Sequence, residues 1–264
     1  MKDSTTRRDV LRGAGAVITL AMLADAFGAA APVGSGKQVS AGVNVLTLLY
    51  PAGSFDFDYY RNSYLKVLKG VYGKSVERIE VREVIAPPQA PGAPAPTLPF
   101  SAVVNVWIKD PAAFQASSKK GAGTLAKEAE RFTKLVPTVQ FDTVHGAMGA
   151  ARGAPQIGER CLMFLYPNSD GAHWDVTKYT ATQMPLIMEL YGSAAIRRLE
   201  VRAGERGSDA GSKPAYLGLV SIYVADQAAM QAAGRTHGAR LMAENAGYSS
   251  VDPVVVPSLI RGVV

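Results

Sequence analysis

The sequence is poor in the residues that hold metals and build covalent frameworks, with one cysteine and three histidines in 264 residues. Cys161 alone excludes an internal disulfide and leaves no cysteine pair for a structural zinc site. It sits in an apolar run and reads as core filling. His145, His173 and His237 are scattered. No phosphate loop, dinucleotide fingerprint or nucleophile elbow is present, so no cofactor is read from the sequence. Formal charge is +6. The densest basic stretch, Lys119-Lys120 through Lys127, Arg131 and Lys134, is interleaved with Glu128 and Glu130. That is the solvated face of a helix, which excludes a nucleic-acid stripe. Beyond the N-terminal region no apolar run approaches the roughly 20 residues that span a bilayer.

What is present begins with an export signature. Thr6-Arg7-Arg8-Asp9-Val10-Leu11-Arg12 is a twin-arginine run, followed by an apolar stretch from Gly13 to Ala24 and small residues at Gly28-Ala29-Ala30. Residues 1–30 therefore read as a twin-arginine (Tat) signal peptide, directing the protein to the periplasm or outside the cell. The apolar stretch is too short for a membrane anchor, so no membrane contact is expected after signal removal. Residues 31–42 read as a linker.

The rest of the chain says the same thing twice. Asn44-Val45-Leu46-Thr47-Leu48-Leu49-Tyr50-Pro51 returns as Arg160-Cys161-Leu162-Met163-Phe164-Leu165-Tyr166-Pro167, with Tyr166 standing 116 positions after Tyr50. Val106-Trp107-Ile108-Lys109-Asp110 returns as Ile222-Tyr223-Val224-Ala225-Asp226 at the same offset. Arg78-Ile79-Glu80-Val81-Arg82 returns as Arg198-Leu199-Glu200-Val201-Arg202, 120 positions on. A period this long is a small domain, since solenoid units run roughly 20–50 residues. Two repeats are assigned, 43–146 and 159–264, joined by a linker at 147–158.

In the first repeat, Val43 to Tyr50 reads as a strand. Phe55 to Tyr72 follows as a helix, with Tyr60, Tyr64, Val67, Leu68 and Val71 at three- and four-residue steps. Val76 to Ile85 is a second strand, and Pro87 to Pro99 a loop. Phe100 to Ile108 is a third strand. A helix capped by Asp110 and opened by Pro111 runs to about Lys134, before a fourth strand at 139–144. The second repeat follows with strands at 160–166, 194–202, 215–224 and 250–256 and helices at 173–191 and 226–245. The order β-α-β-β-α-β is the ferredoxin-like unit. Strands 43–50 and 215–224 are apolar at both parities, so each sheet needs cover on both faces. The fold class is therefore α+β: two ferredoxin-like repeats packed sheet to sheet as an intrachain α+β barrel, monomeric or homodimeric.

Leu48-Leu49-Tyr50-Pro51 followed by Phe55-Asp56-Phe57-Asp58-Tyr59-Tyr60-Arg61-Asn62 resembles the start of an EthD-family domain. The second repeat keeps Trp174-Asp175, Tyr179 and Met184-Pro185-Leu186 of the family's pattern. The resemblance implies a dimeric α+β-barrel fold and a link to bacterial catabolism, including of ethers. The family carries a histidine just before Met-Pro-Leu. Tyr64 holds that position in the first repeat and Gln183 in the second. Tyr64, with an ordinary pKa near 10, is a poor base, and Gln183 transfers no proton.

Tyr60 and Tyr64 share a helix face, as do Tyr179 and Gln183. These four residues are the expected ligand-binding set. Tyr64 with His145 at a strand end is the acid/base candidate. Asn105 and Trp107 share a strand face, a pairing that cofactor-free monooxygenases of this barrel class place in their cavities. The reading is an exported protein that binds a small apolar or aromatic molecule, either as a catabolic enzyme of simple proton chemistry or as a carrier. A cofactor-free or haem-dependent oxygenase is the further alternative.

Overall fold

A computed structural model describes residues 42–86, 97–149, 155–209 and 211–264. The signal at 1–30, nearly all of the linker at 31–42 and most of the Pro87–Pro99 loop lie outside the described residues.

Each repeat follows the expected order. In the first, β1 (Asn44–Pro51) leads to helix α1 (57–72), then β2 (Val76–Val84), β3 (Phe100–Ile108), α2 (Pro111–Ala129) and β4 (Thr138–Gly149). In the second, β5 (Arg160–Pro167) is followed by α3 (176–195), β6 (Ile196–Arg206), β7 (Tyr216–Val224), α4 (Gln227–Ala243) and β8 (Val254–Val263). An aspartate opens all four helices. The side chains of Asp56, Asp110, Asp175 and Asp226 accept the N–H groups of Tyr59, Ala113, Lys178 and Ala229. Each such cap stabilises its helix by about 1 kcal/mol.

The eight strands close into one barrel in the order β1-β3-β2-β8-β5-β7-β6-β4. Two antiparallel seams join the repeats, β2 with β8 and β4 with β6. Strands at these seams differ from the sequence reading. β4 continues through Gly149, into the segment read as linker, and β6 continues to Arg206. β8 occupies Val254–Val263 rather than 250–256. Backbone pairing with the other repeat extends these strands past their apolar runs, and Pro253, which has no N–H to donate, precedes the start of β8.

Alternate residues of each strand face the helices. Leu46, Leu48, Tyr50, Ile79, Val81, Val104, Val106 and Phe141 form the first repeat's outer core with Tyr60, Tyr64, Leu65 and Leu125. Leu199, Val201, Val220 and Ile222 do the same with Tyr179, Met184, Ile187 and Leu241. The other parity fills the barrel. An eight-stranded barrel is just wide enough for side chains to fill.

The filling is not the apolar one that β1 and β7 suggest. Beside Leu49, Val103, Met163, Leu165, Leu219, Val256 and Ile260 lie Thr47, Glu80, Arg82, Asn105, Gln140, Asp142, Glu200, Arg202 and Ser221, each 0% exposed. These polar groups bond across the two repeats. Arg82 of β2 donates through Nη1 to Cys161 Sγ at 3.0 Å and Ser221 Oγ at 3.1 Å, through Nη2 to Tyr223 Oη at 2.8 Å, and through Nε to Glu80. Arg202 of β6 donates through Nη1 to Asn105 Oδ1 at 2.9 Å and Thr47 Oγ1 at 3.1 Å. Tyr223 donates to Glu80 at 3.3 Å, and Trp107 donates to Glu200 at 3.2 Å. Burial raises the Glu200 carboxyl, but Arg202, Arg198 and Arg78 outweigh it and hold the group below the ordinary value.

Removing one member of this network leaves the other charge buried. Arg82→Met is expected to destabilise the fold by about 3–5 kcal/mol, and Arg82→Met with Glu80→Met by clearly less than the single change. Urea unfolding of the three proteins measures the difference.

Candidate functional site

Two aromatic cages stand between helices and sheet, one per repeat, at equivalent positions. The first gathers Tyr50, Phe55, Tyr60, Tyr64 and Phe132. Phe132 lies 4.9 Å from Tyr60 and 4.7 Å from Tyr64 between ring centroids, and Tyr60 lies 5.1 Å from Tyr64. The second gathers Tyr166, Trp174, Tyr179 and Tyr248, with Gln183 where Tyr64 stands. Trp174 stacks on Tyr166 at 5.3 Å, and Tyr179 meets Tyr248 edge-on at 4.8 Å.

Both cages are presented by the same local device. The middle of α1, Tyr60–Tyr64, and of α3, Tyr179–Gln183, is π-helical. The Leu65 N–H reaches back to the Tyr60 carbonyl, and the Met184 N–H to that of Tyr179. Pro185 favours such widening in α3, because its ring crowds the carbonyl four residues earlier. The first repeat has Lys66 there and keeps the turn, so proline alone is not the cause. Short π-helical turns are rare and recur at functional sites.

The four residues expected from the sequence are all buried in the cages. Tyr64 Oη donates to the Leu125 carbonyl at 3.4 Å, and Gln183 Nε2 to the Leu241 carbonyl at 3.3 Å. These two polar groups thus tether the first helix of each repeat to the second at matching points. The structure does not bring Tyr64 and His145 together. Tyr64 is 2% exposed, inside the first repeat's outer core. His145 is exposed at a register shift between β4 and β6. Burial, then the nearby Tyr50, pushes the Tyr64 hydroxyl well above its ordinary value, away from base chemistry. Asn105 and Trp107 lie in the barrel, bonded to Arg202 and Glu200, and line neither cage.

The cages differ in polarity. Phe55 and Phe132 of the first become Trp174 and Tyr248 in the second. The second cage carries three hydroxyls, those of Tyr166, Tyr179 and Tyr248, whose ring centroids lie 4.8 to 6.3 Å apart. Trp174 Nε1 is buried with no hydrogen-bond partner, as is Asn245 Oδ1. The second cage adjoins an open cleft of about 560 Å³ lined by His173, Met242, Asn245, Tyr248 and Ser249, among others. Asn245 stands where the first repeat has Ala129, and its Nδ2 holds the Val251 carbonyl at 3.1 Å. Sequence reasoning missed Trp174, Asn245 and Tyr248 as a group. The signal was the exchange of Phe55, Ala129 and Phe132 for residues with polar atoms.

No protein-family model matches this chain, and no curated protein does. Solved structures do. An EthD-like protein from Ralstonia eutropha is 28% identical over 39% of this chain and 93% of its own, with a TM-score of 0.37. A proposed monooxygenase from Fusobacterium nucleatum is 7% identical, covering 85% of this chain and 94% of its own with a TM-score of 0.53. An anthrone oxidase-like protein is 10% identical over 86% of this chain and 94% of its own, with a TM-score of 0.46. The chain thus resembles an EthD-like protein, as its Phe55–Asn62 motif implied, and shares the α+β-barrel fold.

Two outcomes are expected. A Cβ on Gly218 would stand 2.5 Å from Trp174 Cε3, so only glycine admits the indole. Gly218→Ala should cost about 1–3 kcal/mol in thermal unfolding. Adding Trp174→Phe should recover most of it, since the first repeat pairs Ala102 with Phe55. Burial also raises the hydroxyls of Tyr50, Tyr60, Tyr64, Tyr166 and Tyr179, and carries that of Tyr72 to about 12. The unfolded chain releases these protons from about pH 10, while the folded chain holds them. Stability is therefore full below pH 10 and falls as pH rises through the window above it. Absorbance at 295 nm should show these tyrosines ionising together with unfolding.

Proposed function

We propose that this protein binds a small, mostly apolar or aromatic molecule at the second repeat's cage and its cleft, and acts as a binding protein. The observation that carries the reading is an unpartnered donor and an unpartnered acceptor, Trp174 Nε1 in the second cage and Asn245 Oδ1, with Asn245 and the cage residue Tyr248 both lining an open cleft. Buried polar atoms without partners are uncommon in folded proteins and are expected to meet a ligand or water. Aromatic rings on several sides suit a flat apolar body, and the two polar atoms suit its hydroxyl or carbonyl group. The first cage, closed by Phe55 and Phe132, serves as packing. Tyr64 and His145, held apart, supply no acid–base pair to this reading. Export through residues 1–30 places the binding event outside the cytoplasm.

Trp174, stacked on Tyr166 in the second cage, is one of the chain's two tryptophans, and a Trp107→Phe background isolates its signal. Titration of the purified protein with 2-naphthol, followed by tryptophan fluorescence, is expected to quench saturably. Asn245→Leu and Tyr248→Phe should each weaken the affinity roughly tenfold, the worth of one buried hydrogen bond. Quenching that neither substitution changes would place the ligand elsewhere.

A further inference from the structure

Eight buried side-chain nitrogens and oxygens among the described residues have no hydrogen-bond partner, and six of them lie in the barrel. They are Nε and Nη2 of Arg78, Nδ2 of Asn105, Nε of Arg198, and Nε and Nη2 of Arg202. All six are donors. Arginine bears donors only, and Nε of Arg78 and of Arg202 lie 3.8 Å from Glu80 and 3.7 Å from Glu200, which leaves Nη2 of Arg78, Nη2 of Arg202 and Nδ2 of Asn105 as the buried donors in need of an acceptor.

The charges agree. Four arginines, at 78, 82, 198 and 202, face three buried carboxylates, Glu80, Asp142 and Glu200, with the exposed Glu77 near Arg198. Each carboxylate is already occupied. Glu80 accepts from Arg82 and Tyr223, Glu200 from Trp107 and Arg198, and Asp142 from Thr47 and Gln140. A Glu200 carboxylate oxygen lies 3.7 Å from the unsatisfied Nε of Arg202, and an Asp142 oxygen lies 3.6 Å from Nη1, which already bonds Asn105 and Thr47. Both distances exceed a hydrogen bond.

The duplication supplies the comparison. Arg82 and Arg202 are equivalent, yet Arg82 uses Nη2 to bond Tyr223 Oη at 2.8 Å. The residue equivalent to Tyr223 is Trp107, whose indole presents no oxygen. Trp107 instead has two guanidinium groups beside it, with Cζ of Arg78 at 3.6 Å and of Arg202 at 5.8 Å from its ring centroid. Arg202 and Asn105 are fully enclosed, whereas the side chains of Arg78 and Arg198 are 14% and 11% exposed and lead outward.

We propose that Arg202, Asn105 and Arg78, grouped beside Trp107 inside the barrel, bind a small monovalent inorganic anion of the size of chloride. The donors lie in a lumen otherwise filled by side chains, which excludes larger organic anions and sulfate. The site is separate from the cage and cleft of the second repeat and does not depend on their role.

The test is the thermal midpoint of the whole mature protein in sodium chloride against sodium gluconate at constant ionic strength. Chloride and bromide should raise the midpoint saturably by about 2–4 °C, and sulfate should not. Trp107→Tyr restores the arrangement that Tyr223 makes around Arg82, with a hydroxyl both to accept from Arg202 and to donate to Glu200. That variant should lose the chloride dependence. Coincident midpoints in chloride and gluconate, or a Trp107→Tyr protein that keeps the full dependence, overturn the proposal. If Trp107→Tyr does not fold, crystals of the unsubstituted protein grown in sodium bromide decide. An anomalous peak beside Arg202 supports the site, and its absence overturns it.

Discussion

Two buried arginines, each held by the opposite repeat, are the constraint on which the barrel rests. Arg82 leaves β2 to meet Cys161, Ser221 and Tyr223, while Arg202 leaves β6 to meet Thr47 and Asn105. The partners lie far apart in sequence, 155 residues for Arg202 and Thr47. Apolar filling would close the lumen as well, and swapping buried ion pairs for apolar groups is often neutral or stabilising. The network's distinctive contribution is register. A guanidinium that must meet particular oxygens tolerates no slip of one strand past another, because a slip of one residue turns every side chain to the other face.

A fixed barrel allows the two outer layers to diverge. The first repeat spends its aromatic residues on packing, with Phe132 wedged among Tyr60, Tyr64 and Phe55. The second accepts a larger indole by giving up a methyl group at Gly218, and it exchanges Phe132 for Tyr248 and Ala129 for Asn245. The exchanges at Tyr248 and Asn245 add polar atoms to the lining of the cleft. The position held by Tyr64 and Gln183 does not follow that division. Tyr64 and Gln183 tether the same pair of helices through equivalent carbonyls, so what persists at that position is a helix-to-helix hydrogen bond.

The element order, the offsets of 116 and 120 and the cap at Asp110 were legible in the chain, because local propensity and repetition carry them. The shared inward face of Tyr60 with Tyr64, and of Tyr179 with Gln183, was legible from the four-residue spacing. What was not legible is where the charged face of Arg78–Arg82 and Arg198–Arg202 would turn. Alternating charge on a strand ordinarily marks a wetted surface, and only closure of the barrel makes that face interior. The rest of each cage was hidden for a related reason. Phe132 and Tyr248 arrive from segments beyond the second helix, roughly 70 residues after the tyrosines they touch, and no periodicity links them.

The seam between β2 and β8 has a consequence for how the protein is made. β8 is the last of the eight strands to leave the ribosome, and until it does, β2 and β5 each present an unpaired edge. Such open edges are where nascent sheets add to one another and aggregate. In that interval the face of β2 that will become lumen shows Arg78, Glu80 and Arg82 to water instead of a run of valines. The half-made barrel is thereby kept wettable, and the same residues that set the register of the finished molecule act beforehand as guards of its unfinished edge.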